Sequence, residues 1–224
     1  MNKIYNSYIK MYKNLINTYN YPIYNSHKES YKQPINKIFQ IGFNKCGTRT
    51  IHNFFLRNGV KSAHWENNKL ADTIHKNYNN NLPLLTGIDK YTVYTDMENV
   101  DTQIYAHILY YKELDRQYPN SKFILNIRDR DKWITSRLNH NNLKSGKYLI
   151  TTMNYYDYTE EQVINMWIND WENHIRDVKD YFKDRPNDLL IFDIEEDNVS
   201  KLVKFFSPYL DLNEDFWEIK GVTK

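Results

Sequence analysis

The sequence predicts an α/β fold three layers deep, with helices on both faces of a central, mainly parallel sheet. Three observations lead there. From Lys37 onward, short β-prone runs alternate with stretches of helical periodicity. The run Lys122-Phe123-Ile124-Leu125-Asn126-Ile127 is almost continuously apolar, the mark of a strand covered on both faces. The first β-prone run ends at a glycine and leads through a short loop into a helix, an arrangement suited to holding an anion.

The elements follow in order. Residues 38–41 form a strand that stops at Gly42. A helix starts near Thr48, carries Ile51, Phe54 and Phe55 on one side, and ends at Asn58-Gly59. Residues 60–65 are expected to be a second strand, 77–81 a polar loop, and 91–95, β-branched and aromatic, a third strand. Ile104, Ile108, Tyr111 and Leu114 follow helical spacing up to Pro119. Past the strand at 122–127, Thr159 with the acids and Gln162 behind it signals a helix start. That helix carries Ile164, Trp167, Ile168, Trp171, Ile175, Val178 and Phe182 at steps of three and four, which predicts a core face rather than a carbohydrate-stacking one. Residues 188–194 close the pattern as a strand and 199–206 as a helix.

With 224 residues and 41% hydrophobic content, the chain supports one domain plus an extension. Residues 1–36, with five Lys against one Glu and seven Tyr, are expected to be an arm, and 37–224 the α/β domain. A net charge of +2 argues against a nucleic-acid partner bound by bulk charge. No run approaches the ~18 apolar residues of a membrane span. The first residues lack the apolar stretch of a secretory signal, so a soluble, cytoplasmic protein is expected. A single Cys46 excludes an internal disulfide framework and a four-Cys zinc site. Oligomeric state is left open.

The segment Gly42-Phe43-Asn44-Lys45-Cys46-Gly47-Thr48-Arg49-Thr50 is the most informative. Two glycines let its backbone wrap closely around an anion, and the helix start adds unpaired N–H groups. Against the P-loop pattern G-x-x-x-x-G-K-[ST], the glycine spacing matches but Thr48 and Arg49 stand at the Lys and hydroxyl positions, with Lys45 inside the loop. Mg-ATP is therefore a poor fit, and a donor whose transferred group needs no magnesium is a better one. The second informative segment is Ile127-Arg128-Asp129-Arg130-Asp131-Lys132-Trp133-Ile134-Thr135-Ser136-Arg137. Arg128 stands at a strand's carboxyl end, where α/β proteins bind ligands, and its planar fork can grip a phosphate. The alternative is that Arg128 pairs with Asp129 or Asp131 and Ser136 is a neutral helix residue.

Phe43-Asn44-Lys45-Cys46-Gly47-Thr48 resembles the 5′-phosphosulfate loop of sulfotransferases that use 3′-phosphoadenosine 5′-phosphosulfate (PAPS). Arg128 with Ser136 eight residues later is similar to that family's 3′-phosphate motif. Thr95-Asp96-Met97 and Tyr118-Pro119-Asn120-Ser121 also resemble family segments, and Lys220-Gly221 resembles a late Lys-Gly element over two residues. Arg49 departs from the usual small hydroxyl residue.

The resemblance implies a P-loop-like sulfotransferase fold and sulfuryl transfer from PAPS, without a metal. The acceptor would be a hydroxyl or amine of a small molecule or carbohydrate, and 3′-phosphoadenosine 5′-phosphate the product. On it, Lys45 neutralises charge on the bridging oxygen. The backbone around Cys46, Gly47, Thr48, Arg49 and Thr50 holds the 5′-phosphate, and Arg128, Ser136 and Lys220 the 3′-phosphate. Asp96 is the first choice of base, with Glu98 and His64 as alternatives. Cys46 is expected to be a small residue fitted to the loop, the other reading being a thiol activated at a helix start. Two other functions stay in view: a divergent P-loop kinase using ATP, and a catalytically inactive nucleotide-binding or structural module.

Overall fold

The computed structural model describes residues 33–140 and 147–220, so the arm expected over 1–36 lies almost wholly outside the described residues. In chain order the strands are β1 (Ile38–Gln40), β2 (Ser62–His64), β3 (Val93–Thr95), β4 (Glu98–Asn99), β5 (Ile104–Tyr105), β6 (Lys122–Ile127) and β7 (Leu189–Asp193). The helices are α1 (Thr48–Arg57), α2 (Lys69–Asn79), α3 (Ala106–Leu109), α4 (Tyr111–Gln117), α5 (Arg130–Leu138), α6 (Lys147–Tyr156), α7 (Glu160–Phe182) and α8 (Val199–Phe206). Five strands form one parallel sheet in the order β2-β3-β1-β6-β7, while β4 and β5 make a small antiparallel pair.

The period-two alternation of strand side chains builds both cores. Ile38, Val93, Ile124 and Phe192 face Ile51, Phe54 and Phe55 of α1 and Leu202 and Phe206 of α8. Phe39, Tyr94, Phe123 and Leu125 face the other way, toward Leu70 and Ile74 of α2, Leu114 of α4 and Val178 and Phe182 of α7. Burial on both faces is what the apolar run at 122–127 predicts. Thr159 and Gln162 form a reciprocal capping box at the start of α7. Trp167 and Trp171 are 2% and 6% exposed, so the stripe is core.

Three segments depart from expectation. Asn77 and Asn79 close helix α2 instead of opening a loop at 77–81. The Asn77 carboxamide is buried and donates to the carbonyls of Leu84 (2.9 Å) and Thr86 (3.0 Å), which satisfies a polar group on an otherwise apolar stripe. Ile104 belongs to a strand paired with Asn99, and the helix behind it breaks at Tyr110 (φ −126°), so the periodicity at 104–114 spans three elements. Helix α6 has no counterpart among the expected elements.

The topology decides where function gathers. From β1 the chain moves outward to β2 and β3 on one side, then crosses back to β6 and β7 on the other. The switch point lies at the carboxyl end of β1, beside that of β6, because Gln40 pairs with Ile124. All five carboxyl ends share one edge. They deliver His64 as the last residue of β2, Asp96 after β3, the glycine loop after β1, Arg128 after β6 and Glu195 after β7. Among the described residues no helix is long and apolar enough to cross a membrane.

Phe123 is fully buried, 5.5 Å from the Phe39 ring and 4.9 Å from that of Phe182. Phe123→Ala is expected to cost about 3–5 kcal/mol in urea unfolding. A loss under ~1 kcal/mol would mean that this side of the core closes over the gap.

Candidate functional site

The loop after β1 is held by one buried side chain of β6. Asn126 accepts from the Gly42 N–H (3.0 Å) and donates to the carbonyls of Cys46 (2.8 Å) and Phe43 (3.3 Å). A Cβ on Gly42 would lie 2.1 Å from the Asn126 carbonyl oxygen, so only glycine fits. Gln40 extends the stitch. Its carboxamide donates to Asn126 Oδ1 and to the Gly42 carbonyl (2.9 Å), and accepts from the Asp96 N–H (3.1 Å).

Lys45 (φ 61°) and Gly47 (φ 77°) both take left-handed conformations, which turn the chain into α1. A Cβ on Gly47 would meet Ile194 Cδ1 at 2.5 Å. Gly47 caps α1 with no side chain, and the Ile51 N–H bonds the Gly47 carbonyl at 3.0 Å. The N–H groups of Thr48, Arg49 and Thr50 precede it and have no carbonyl to reach within the helix. The Thr50 hydroxyl has other work: it accepts from the Lys220 N–H (2.9 Å) and contacts the Lys220 carbonyl (3.3 Å). This pins the C-terminal segment to α1 and takes the hydroxyl away from any anion at the loop. The Lys220 ammonium pairs with Glu218. The Cys46 side chain is fully buried against the core, which pushes its thiol well up and leaves no activated nucleophile.

Arg128 reaches the same loop. Its Nη1 donates to the Lys45 carbonyl at 3.0 Å, while Nη2 pairs with Glu195 at the end of β7, itself 3.3 Å from the Lys132 ammonium. Its ion-pair partner is therefore Glu195, not Asp129 or Asp131. The Arg128 Nε is buried with no hydrogen-bond partner among the described residues. Ser136 is the seventh residue of α5, nearly two turns in, and half-buried.

Asp96 and Glu98 lie on the other side of the loop. Burial pushes both carboxyls up, Glu98 further because Asp96 adds its charge, while Arg49, Lys45 and Arg137 work against the rise at Asp96. Glu98 accepts from the Asn44 carboxamide; Asp96 Oδ1 and Glu98 Oε2 are buried without partners among the described residues. His64 Nε2 is 3.5 Å from Asp96 Oδ2. The Thr95 hydroxyl donates to the Ala63 carbonyl (3.0 Å), so it accepts from His64 Nδ1 (3.1 Å). A neutral His64 then turns a bare Nε2 toward Asp96, an arrangement suited to a protonated carboxyl. Lys45 is 3.3 Å from His140 Nδ1, and its own affinity for a proton is lowered by burial and by Arg49 and Arg128. The loop, Arg128 and the three candidate bases thus converge, with Lys220 joined through its main chain.

Four residues of this constellation carry little or no signal in the sequence. Asn126 is a polar residue inside the most apolar strand, the one cue available. Asn44 and Arg137 lie in the two informative segments, but nothing local sets them apart from their neighbours Lys45 and Ser136. Glu195 has no local pattern at all.

The family model described as Sulfotransferase domain matches residues 37–208, which takes in the loop, Asp96, Arg128 and Glu195. No curated protein matches the chain.

Burial lowers the imidazoles of His52, His64 and His107 to about 3. A histidine that titrates near ~6.5 unfolded and near 3 folded takes up its proton only on unfolding. Each therefore destabilises the fold as the pH falls from 6.5 toward 3. NMR of the three ring Cε1–H signals is expected to show no titration between about pH 8 and 5. A His64 midpoint near ~6.5 would contradict the neutral contact with Asp96.

Proposed function

The chain belongs to the sulfotransferase-domain family, and on that premise we propose that it transfers a sulfuryl group from PAPS to a hydroxyl or amine of a small molecule or carbohydrate. The observation that carries this reading is the clasp between Arg128 and the Lys45 carbonyl. It joins a side-chain fork and an uncapped helix start, two anion cradles on neighbouring strand ends.

The fit of the residues to such a donor rests on three features. Gly47 leaves a cradle that any Cβ would crowd against Ile194. The buried Arg128 Nε lacks a partner among the described residues. The Arg128 fork already holds a carboxylate, Glu195, an anion with oxygens comparable to those of a phosphate. When bound, the donor supplies the activated sulfuryl group and departs as 3′-phosphoadenosine 5′-phosphate.

The N–H groups of Gly47, Thr48, Arg49 and Thr50 hold the 5′-phosphate, and the narrow Cys46 side chain lets the loop close around it. Lys45 offsets charge that grows on the leaving oxygen, a role its partial desolvation strengthens. Arg128 binds the 3′-phosphate, with Ser136 and Lys220 assisting, and releases Glu195 to do so. Asp96 in its ionised form receives the acceptor's proton, and the bare Nε2 of His64 then accepts from the carboxyl so formed, with Glu98 beside it and no metal taking part. The transferase unit is 37–224, with 1–36 as an arm.

Calorimetry with 3′-phosphoadenosine 5′-phosphate and adenosine 5′-phosphate, with and without magnesium, tests the donor. Metal-independent binding that needs the 3′-phosphate is expected. Equal affinity for both nucleotides would overturn the reading, and a magnesium requirement would favour an ATP-dependent kinase instead. Arg128→Ala is expected to weaken binding about ten- to hundredfold, the worth of a charge-assisted hydrogen bond. Glu195→Gln frees the fork of a competing carboxylate and is expected to tighten binding about two- to fivefold. Lys45→Ala is expected to lower kcat by about 10²–10³ with little change in melting temperature.

A further inference from the structure

Arg137 is 1% exposed, on α5 directly after Ser136. Its guanidinium lies within a box of rings: Trp167 at 4.4 Å, Tyr148 at 5.1 Å, Trp133 at 5.2 Å and Tyr105 at 5.9 Å. Burying a cation in such a box is costly, and ring faces offset only part of that cost. Part of the remainder is met directly, Nη2 donating to the Tyr105 hydroxyl at 3.3 Å, and part through a relay, while Nε is buried without a partner among the described residues. Arg137 Nη1 donates to Asn44 Oδ1 at 3.1 Å, and the Asn44 amide donates to Glu98. Because guanidinium can only donate, the carboxamide has one orientation, oxygen toward Arg137 and nitrogen toward the acid. The Asn44 carbonyl is held as well, by the Trp133 indole N–H at 3.0 Å. Asn44 is the residue before Lys45, so both its side chain and its main chain are anchored to α5.

We propose that Arg137 is a positioning residue for the transfer, acting through the Asn44 carboxamide on the Asp96–Glu98 carboxyl pair and on the loop that carries Lys45. The role rests on the sulfotransferase reading above for its catalytic meaning, but its electrostatic content stands apart from it. Two carboxyls buried side by side cannot both ionise cheaply. The groups facing them come from every surrounding element: Lys45 in the loop, Arg49 on α1, His64 on β2, Tyr105 on β5, Arg137 on α5 and Tyr148 on α6. Hydrogen bonds tie Arg137 through Asn44 to Glu98, the partner of Asp96 in the pair, and Asn44 is itself the chain neighbour of Lys45. Its charge keeps the pair able to give up a proton near neutral pH, and its fork keeps Lys45 in register with it.

The experiment compares wild type with Arg137→Gln, which removes the charge, and Asn44→Ala, which cuts the relay while leaving the cation in its box. Carboxyl-carbon NMR follows the titration of Asp96 and Glu98, the melting temperature reports folding, and kcat and KM are measured against pH. Both variants are expected to raise the titration of the pair by about one pH unit or more, as loss of a charge-assisted hydrogen bond implies. The acid limb of kcat/KM should move upward with it, and kcat should fall while the donor's KM stays within about twofold. If Arg137→Gln fails to fold, Asn44→Ala decides. A folded Asn44→Ala whose carboxyls titrate as in wild type overturns the proposal. The NMR titration does not depend on activity, so a wild type that neither binds nor uses the donor removes the sulfotransferase reading and leaves the relay to be judged separately.

Discussion

A single carboxamide organises this protein's working edge. Asn126 lies fully buried near the end of β6, and it satisfies the backbone of a loop 80 or more positions earlier in the chain. Buried backbone groups without partners are costly, and a loop folded inward under a helix has many of them. Asn126 meets that need at Gly42, Phe43 and Cys46, and the approach is so close that residue 42 must be glycine. The left-handed turns at Lys45 and Gly47, the uncapped start of α1 and the reach of Arg128 to the Lys45 carbonyl all depend on the loop staying in that place.

Around this stitch neutral amides link the loop to the charged groups. Gln40 stands between Asn126 and the main chain of Asp96, and Asn44 stands between Arg137 and Glu98. Direct burial of Arg137 against Glu98 would produce a tight ion pair with little capacity to respond to its surroundings. Both carboxyls stay buried, which pushes their pKa values up, while Lys45 is crowded by Arg49 and Arg128. The direct pair of Arg128 with Glu195 is partly exposed, where exchange of one anion for another is least costly.

Much of this is legible from local pattern. The strands at 38–41 and 122–127, the capped helix after Thr159 and the buried Trp167–Trp171 stripe express periodicity and capping, which depend on neighbours a few residues apart. The segments where local pattern misleads share a cause. Asn77 and Asn79 look like loop residues until Leu84 and Thr86 supply the carbonyls that let Asn77 be buried in a helix. The spacing at 104–114 imitates one helix because the pairing of Ile104 with Asn99 cannot be seen in a run of residues.

The sequence by itself determined the fold class, the loop that turns into a helix and the strand that leads into Arg128. Only the tertiary structure decided that Arg128 holds Glu195, that Arg137 rather than Ser136 is the buried polar group of α5, and that Asn126 anchors the loop. The physical reason lies in the strand order. Placing β6 against β1 brings together residues that are 80 or more positions apart. Hydrogen bonds between such residues leave no periodic trace in the chain, because each is satisfied by a partner that local sequence cannot name.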